Sequence, residues 1–214
     1  MGETQGILEQ VESQAYDSLA DKLDALSKTY NNSDEQKKSE LRDMVITDYL
    51  SSENKKTYGI YICGALELNE AAPKLMQVLK DSSETKQDLE AAMLALGDIK
   101  HAPAYSLIEK YVGSEHNHQA LIALSNIDFQ RTASYILDEV KRRSRLTLEC
   151  IFTDALKRYG VKTALKNLTY LKNENPGCKR IILDAFNASL KVLELPAEKI
   201  SRLIEKAEKA LHVL

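Results

Sequence analysis

Five residues, "ALGDI" (Ala95 to Ile99), return 28 residues later as "ALSNI" (Ala123 to Ile127). The segments that lead into them recur as well. "TYGIYICGALEL" ends at Leu68, "KQDLEAAMLALGDI" at Ile99, "EHNHQALIALSNI" at Ile127, "TLECIFTDALKRY" at Tyr159 and "GCKRIILDAFNAS" at Ser189. Successive ends lie 28 to 32 residues apart. A period of that length, sustained along most of a chain, is the signature of stacked helical hairpins. One hairpin cannot bury its apolar face alone, so each needs its neighbours. The repeat answers a packing demand and carries no catalytic signature.

Within a unit the pattern predicts two helices. The first has apolar residues at helical spacing, as in Tyr105, Leu107, Ile108 and Tyr111. A polar break such as "GSEHN" follows, and then a second helix rich in alanine. Ala92, Ala95, Ala120, Ala123, Ala155 and Ala185 are small enough to let neighbouring helices approach closely. Gly97 and Ser125 are expected at the ends of second helices. Asp98 and Asn126 are expected in the turns that follow, bonded to local backbone. Composition agrees with an all-α chain. There are only eight Gly and four Pro in 214 residues, and no Trp, while 43 % of residues are hydrophobic and 29 % charged.

The stretch "AAMLALGDIKHAPAYSLIEKY", residues 91–111, resembles the HEAT repeat. It is closest to the short variety found in phycobilin lyases, in which Ala-Leu-Gly-x-Ile is followed by a turn and an Ala-x-x-x-Leu-Ile helix. The resemblance implies a right-handed α-solenoid of about five hairpins over 54–195. Residues 1–53 are then an acidic helical cap and 196–214 a C-terminal capping helix. In the first cap Leu8, Val11, Ala15, Leu19, Leu23 and Leu26 form an amphipathic stripe. Ser33 with Gln36 reads as a capping box for a helix reaching about Leu50. Pro196 suits the start of the last helix, which puts Ile200, Leu203, Ile204, Ala207 and Leu211 on one face.

Few residues point to chemistry. "EHNHQ" holds two of the four histidines, His116 and His118. Deoxyhypusine hydroxylases, a related helical-repeat family, bind iron through His-Glu pairs at the start of second helices. Here the pair is His118-Gln119, without the carboxylate, and no other unit supplies one. Two residues apart on a helix, His116 and His118 point about 200° from each other. His101 and His212 stand alone. Cys63, Cys150 and Cys178 are odd in number and widely spaced, which excludes a disulfide framework and a zinc motif and points to a reducing cytoplasm. Cys63 is expected to be half-buried. No nucleophile elbow or phosphate loop occurs. No cofactor or metal is expected, and the chain reads as a non-enzyme. The bilin-lyase likeness lies in the repeat and not in active residues; Tyr58, Tyr61 and Leu89 read as core.

The opening "MGETQGILEQ" is acidic and polar, so no secretory leader is expected, and no apolar run reaches the ~20 residues that span a bilayer. Net charge is −3, unevenly spread: residues 141–180 carry 11 basic and 3 acidic side chains. Lys141, Arg142, Arg143, Arg145, Lys157, Arg158, Lys162, Lys166, Lys179 and Arg180 could track a polyanion. The pI of about 5.9 and the shortage of stacking aromatics count against a nucleic acid.

In HEAT arrays the second helices line the concave side, which usually grips a protein. The repeat alignment puts Tyr58, Leu89, Glu90, Asn117, His118, Glu149, Asp154, Lys179 and Arg180 at outward positions of that side, with Gly59 and Cys150 beside them and Cys63, Leu94, Ile122 and Asp184 one turn on. The ladder is mixed in charge, which suits one particular protein surface better than a uniform polymer. The expected function is therefore that of a non-enzymatic protein-binding module, an adaptor or inhibitor. By analogy with HEAT-like immunity proteins, it could neutralise a toxin. A nucleic-acid-binding repeat protein and a lyase-like enzyme are the alternatives.

Overall fold

A computed structural model describes residues 8, 18–142, 145–193 and 195–211. Among these, helices and their connecting turns are the only regular structure. No described helix is long and apolar enough to cross a membrane. The chain divides into two compact units, Met1–Lys110 and Tyr111–Leu214.

The first unit contains α1 (Leu19–Asn32), α2 (Glu35–Met44), a π-helical turn (Val45–Tyr49), α3 (Lys56–Ala65), a 3-10 turn (Asn69–Ala71) leading into α4 (Ala72–Val78), α5 (Lys86–Asp98), a second 3-10 turn (Ala102–Ala104) and α6 (Tyr105–Ile108). Asp34, not Ser33, caps α2: its Oδ1 accepts from the Lys37 amide at 2.8 Å. The Ser33 hydroxyl instead donates back to the Thr29 carbonyl at the end of α1. Of the N-terminal stripe, Leu8 and Leu26 are buried but Leu19 is 40 % exposed. Val11 and Ala15 lie outside the described residues.

Side-chain contacts give the register of the helices in this unit. Arg42 pairs with Glu70 at 3.7 Å, and Lys74 Nζ donates to the Ile46 carbonyl at 2.7 Å. Both partners advance four residues, so the α2 segment and the α4 segment run parallel with a 28-residue offset. Similarly, Thr57 bonds Asp88, and seven residues on Gly64 faces Ala95. Helices α3 and α5 are therefore parallel, 31 residues out of step. Gly64 allows their approach, since a Cβ there would lie 3.0 Å from the Ala95 Cα. The expected close contact through small residues is met at this point. The hairpin register also reaches back to α2, inside the segment expected to be a cap. Leu41, Val45, Ile60, Ile62, Leu75, Met93 and Leu96 of this unit are all buried.

The second unit contains α7 (Asn117–Ile127), α8 (Phe129–Lys141), α9 (Arg145–Glu174), α10 (Lys179–Lys191) and α11 (Ala197–Leu211). Asp128 is the single residue between α7 and α8, and its Oδ1 accepts from the Arg131 amide at 3.0 Å to start α8. His118 meets Thr147 and Asn126 meets Asp154, so α7 and the first half of α9 are parallel with an offset of 28 to 29 residues. Asp98 and Asn126 are helical, and not in the expected turns. Asp98 is the last residue of α5 and Asn126 the second-last of α7, and Asn126 Nδ2 donates at 2.6 Å to Asp154, one repeat further on. Gly97 and Ser125 lie in the last turns of α5 and α7, as expected, and both are buried. The Ser125 hydroxyl is satisfied by the Leu121 carbonyl at 2.6 Å.

The repeat register stops at Gly160. This residue has φ 77° and ψ 175°, a region open in practice only to glycine, and it bends α9 with a one-residue joint. Beyond it the partners change direction. The Ser189 hydroxyl donates to the Glu149 carbonyl at 2.8 Å, while the Phe152 and Phe186 rings meet edge to face at 5.5 Å. As α9 advances three residues, α10 retreats three, so α10 runs antiparallel to the first half of α9. The Tyr170 ring also meets Phe129 at the start of α8, where a repeat would bring it near the end of that helix. The hairpin expected at 178–194 therefore does not stack as a fifth repeat. Leu203, Ala207 and Leu211 of α11 are buried against this core, with Ile200 and Ile204 packed beside them. The Pro196 carbonyl accepts the first amides of α11 from Lys199 and Ile200. His212 lies outside the described residues.

Candidate functional site: the faces of the second helices

In the first unit Tyr58 projects from α3, and Leu89 and Glu90 from α5. All three are half-buried. The Tyr58 ring lies 6.3 Å from that of Tyr49, over which Lys55 places its ammonium at 4.7 Å. Glu90 is within 3.9 Å of Lys86 on its own helix. Burial pushes the Tyr61 phenol up, and the nearby Glu90 and Asp88 carboxylates push it further.

Sequence reasoning missed the strongest polar feature of this face. Asp88, 5 % exposed, accepts from the Thr57 hydroxyl at 2.5 Å and from the Thr85 hydroxyl at 2.6 Å. Its own amide donates to Thr85 Oγ1 at 3.1 Å, which caps α5. Beside it Lys56 grips both oxygens of Glu84 at 2.8 and 2.9 Å, and this bond raises the ammonium above its ordinary value. The signal was present in the sequence. Thr85 and Asp88 have capping-box spacing, and Thr57 precedes Asp88 by one repeat.

In the second unit Asn117 is occupied at both ends. Its Oδ1 accepts from the Gly113 amide at 2.8 Å and its Nδ2 donates to Glu139 at 3.3 Å. His118 Nδ1 lies 3.0 Å from the hydroxyl of Thr147, which is itself buried. Glu149 pairs with Arg145, one turn away. Asp154 accepts from Asn126 and from Arg158 Nε at 2.8 Å. Lys179 is half-buried and Arg180 exposed. Three of the nine residues belong to the first unit and six to the second. Glu90, Asn117, His118, Glu149 and Asp154 already serve contacts within the chain.

One turn on, the outward assignment fails at Cys63. It is fully buried, as is its neighbour Gly59, because α3 is covered on that side. Burial pushes the Cys63 thiol up to about 12. Leu94 and Ile122 are half-buried and Asp184 is exposed. Cys150 is half-buried, and its thiol is raised by burial and then by Glu149 and Asp154. All three cysteines are free.

His116 and His118 do not converge. His116 precedes α7, is buried, and meets the Tyr111 ring edge to face at 5.6 Å, while His118 turns to Thr147. Among the described residues there is no group of three or more His, Cys, Asp or Glu side chains arranged to hold a metal ion. The basic track lies in the second unit, apart from Arg143, which is outside the described residues. Lys141, Arg145 and Arg158 are paired with carboxylates. Among the described residues Arg142, Lys157, Lys162, Lys166, Lys179 and Arg180 have no such partner. Residues 1–110 carry net −8 and residues 111–214 net +5. The charge imbalance of the sequence thus follows the division of the fold.

No family model, curated protein or solved structure matches this chain.

Proposed function

We propose that this chain is a non-enzymatic, HEAT-like helical-repeat protein that binds another protein through the outward faces of its second helices, as an adaptor or inhibitor. The observation that carries this reading is the parallel stacking of second helices in each unit. Helices α3 and α5 are joined by Thr57 and Asp88. Helices α7 and α9 are joined by His118 with Thr147 and Asn126 with Asp154. Stacked hairpins in such a register present adjacent helices as one broad surface, the form that repeat proteins use for extended contacts. The right-handed solenoid belongs to the same proposal, with its regular part ending at Gly160. Neutralisation of a toxin is one role such an inhibitor would fill. Three free cysteines fit a reducing compartment such as the cytoplasm.

Partner capture from source cells tests this reading, with tagged protein compared against a Glu90→Lys/Arg180→Glu variant. Arg180 is exposed and Glu90 half-buried, and equal thermal midpoints for the two proteins would show that the variant folds. The expected result is one protein enriched by the unaltered chain and depleted by the variant. Recovery of nucleic acid alone, or equal recovery by both, would overturn it.

A further inference from the structure

Among the described residues only three large apolar side chains are markedly exposed, and two of them are in the second unit: Leu146, 64 % exposed, and Val192, 61 % exposed. They come from opposite ends of the sequence between α9 and α10, yet the antiparallel register brings them level. Glu149 is bonded to Ser189 and Phe152 packs on Phe186. The next step outward, three residues on each helix, reaches Leu146 and Val192. The same register followed the other way sets Arg180 level with Arg158, beside Lys157. Lys157 and Arg180 are exposed and, among the described residues, unpaired. Along α9 the outward stripe runs Leu146, Cys150, Thr153, Lys157, at helical spacing and with no acidic residue in it. Eleven residues of helix separate its ends by about 16 Å.

We infer that the α9–α10 face of the second unit docks a short acidic protein segment, with a large apolar side chain seated on Leu146 and Val192 and carboxylates near Lys157 and Arg180. This rests on the protein-binding reading and names the chemistry of the partner. Two isolated exposed hydrophobes are unremarkable on a surface. Here they share one level of one helix pair, and cations without an ion-pair partner among the described residues lie at the other end of the same face, in a unit of net charge +5. A nucleic acid would use the cations but leave the apolar end without a contact.

Fluorescence anisotropy on the full chain provides the test. The probe is a labelled 12-residue peptide with Leu-Leu at one end and four Glu at the other. The comparison probes are the same peptide with Ser for Leu, the same peptide with Lys for Glu, and a 12-nucleotide single-stranded DNA. Saturable binding of the first probe is expected, weakened about tenfold by Leu146→Ser/Val192→Ser and again by Lys157→Glu/Arg180→Glu. All four positions are exposed, and unchanged thermal midpoints would show that the variants remain folded. Binding that is indifferent to Leu146 and Val192, tighter binding of the DNA, or no saturation up to about 1 mM, where only about 4 kcal/mol of binding energy would remain, would each overturn the inference. A partner captured through Glu90 alone would leave the broader protein-binding reading standing without this one.

Discussion

Replacing Thr57 by valine keeps the shape of the side chain and removes one donor from Asp88. Thr57 Oγ1 sits 2.5 Å from Asp88 Oδ1, and the carboxylate is 5 % exposed, so water does not readily replace the lost hydroxyl. A hydrogen bond to a charged group contributes about 1.5–3 kcal/mol, and an acceptor left bare in the interior carries its full desolvation cost. Thr85 still supplies Oδ2, so the penalty is that of one bond and not of an unpaired ion. Thr57→Val should therefore lower stability by about 1.5–3 kcal/mol. Thr57→Ser, which retains the donor, should cost under about 1 kcal/mol, the transfer energy of one methyl group. Urea unfolding followed by far-ultraviolet circular dichroism reads both, since the chain has no Trp. A cycle with Asp88→Ala isolates the pair, with an expected coupling of about 1–2 kcal/mol. If Thr57→Val stayed within about 0.5 kcal/mol of the parent, as surface substitutions do, or the coupling vanished, the bond between repeats would not be holding α3 to α5.

Other consequences follow from the same contacts. In the second unit Thr147→Val should cost about 0.5–1.5 kcal/mol, the worth of a neutral hydrogen bond, with the loss absent in a His118→Ala background. Gly160→Ala meets no neighbouring atom within 4 Å, so its whole cost is backbone strain, about 1–3 kcal/mol by denaturant titration. Gly64→Ala gains about 1 kcal/mol of helix propensity and loses about 1–3 kcal/mol to overpacking against Ala95, and should come out neutral to destabilising. Cys63 holds its proton to about pH 12 when folded and releases it near pH 9 when unfolded. Between those values the unfolded state binds fewer protons, so stability should fall as pH rises, by about 1.4 kcal/mol per unit. The slope should fade below pH 9, vanishing about one unit lower, and be flatter in Cys63→Ala. Alkylation of the native protein at pH 8 should reach half-buried Cys150 before Cys63.

The period was legible because packing demands it. Ala95 recurs where a helix must come close, and Gly64 shows what it comes close to. The polar residues at the ends of the repeat were harder to read. Asp98 and Asn126 have the composition of a turn, and only the stacking of the next helix reveals that Asn126 reaches forward to Asp154. Asp88 escaped notice for a related reason. A buried carboxylate and a surface one look alike in sequence, and the difference lies in two threonines, one of them 31 residues away. The loss of register beyond Gly160 was illegible, since "GCKRIILDAFNAS" keeps the apolar spacing of its predecessors while a single backbone angle redirects it. Of the expected binding face, the sequence could number the outward positions but could not say which were already engaged. Asn117, His118, Glu149 and Asp154 hold the repeats or their own helices together, whereas Arg180 remains open to a partner.

Hydrogen–deuterium exchange on the complex with a captured partner tests the functional reading most directly. Binding through second helices predicts new protection along α3 and α5 in the first unit and along α7, the first half of α9 and the start of α10 in the second. The flanking first helices α4 and α8 should exchange as they do in the free protein. Protection centred on α4 and α8, with the second helices unchanged, would contradict it.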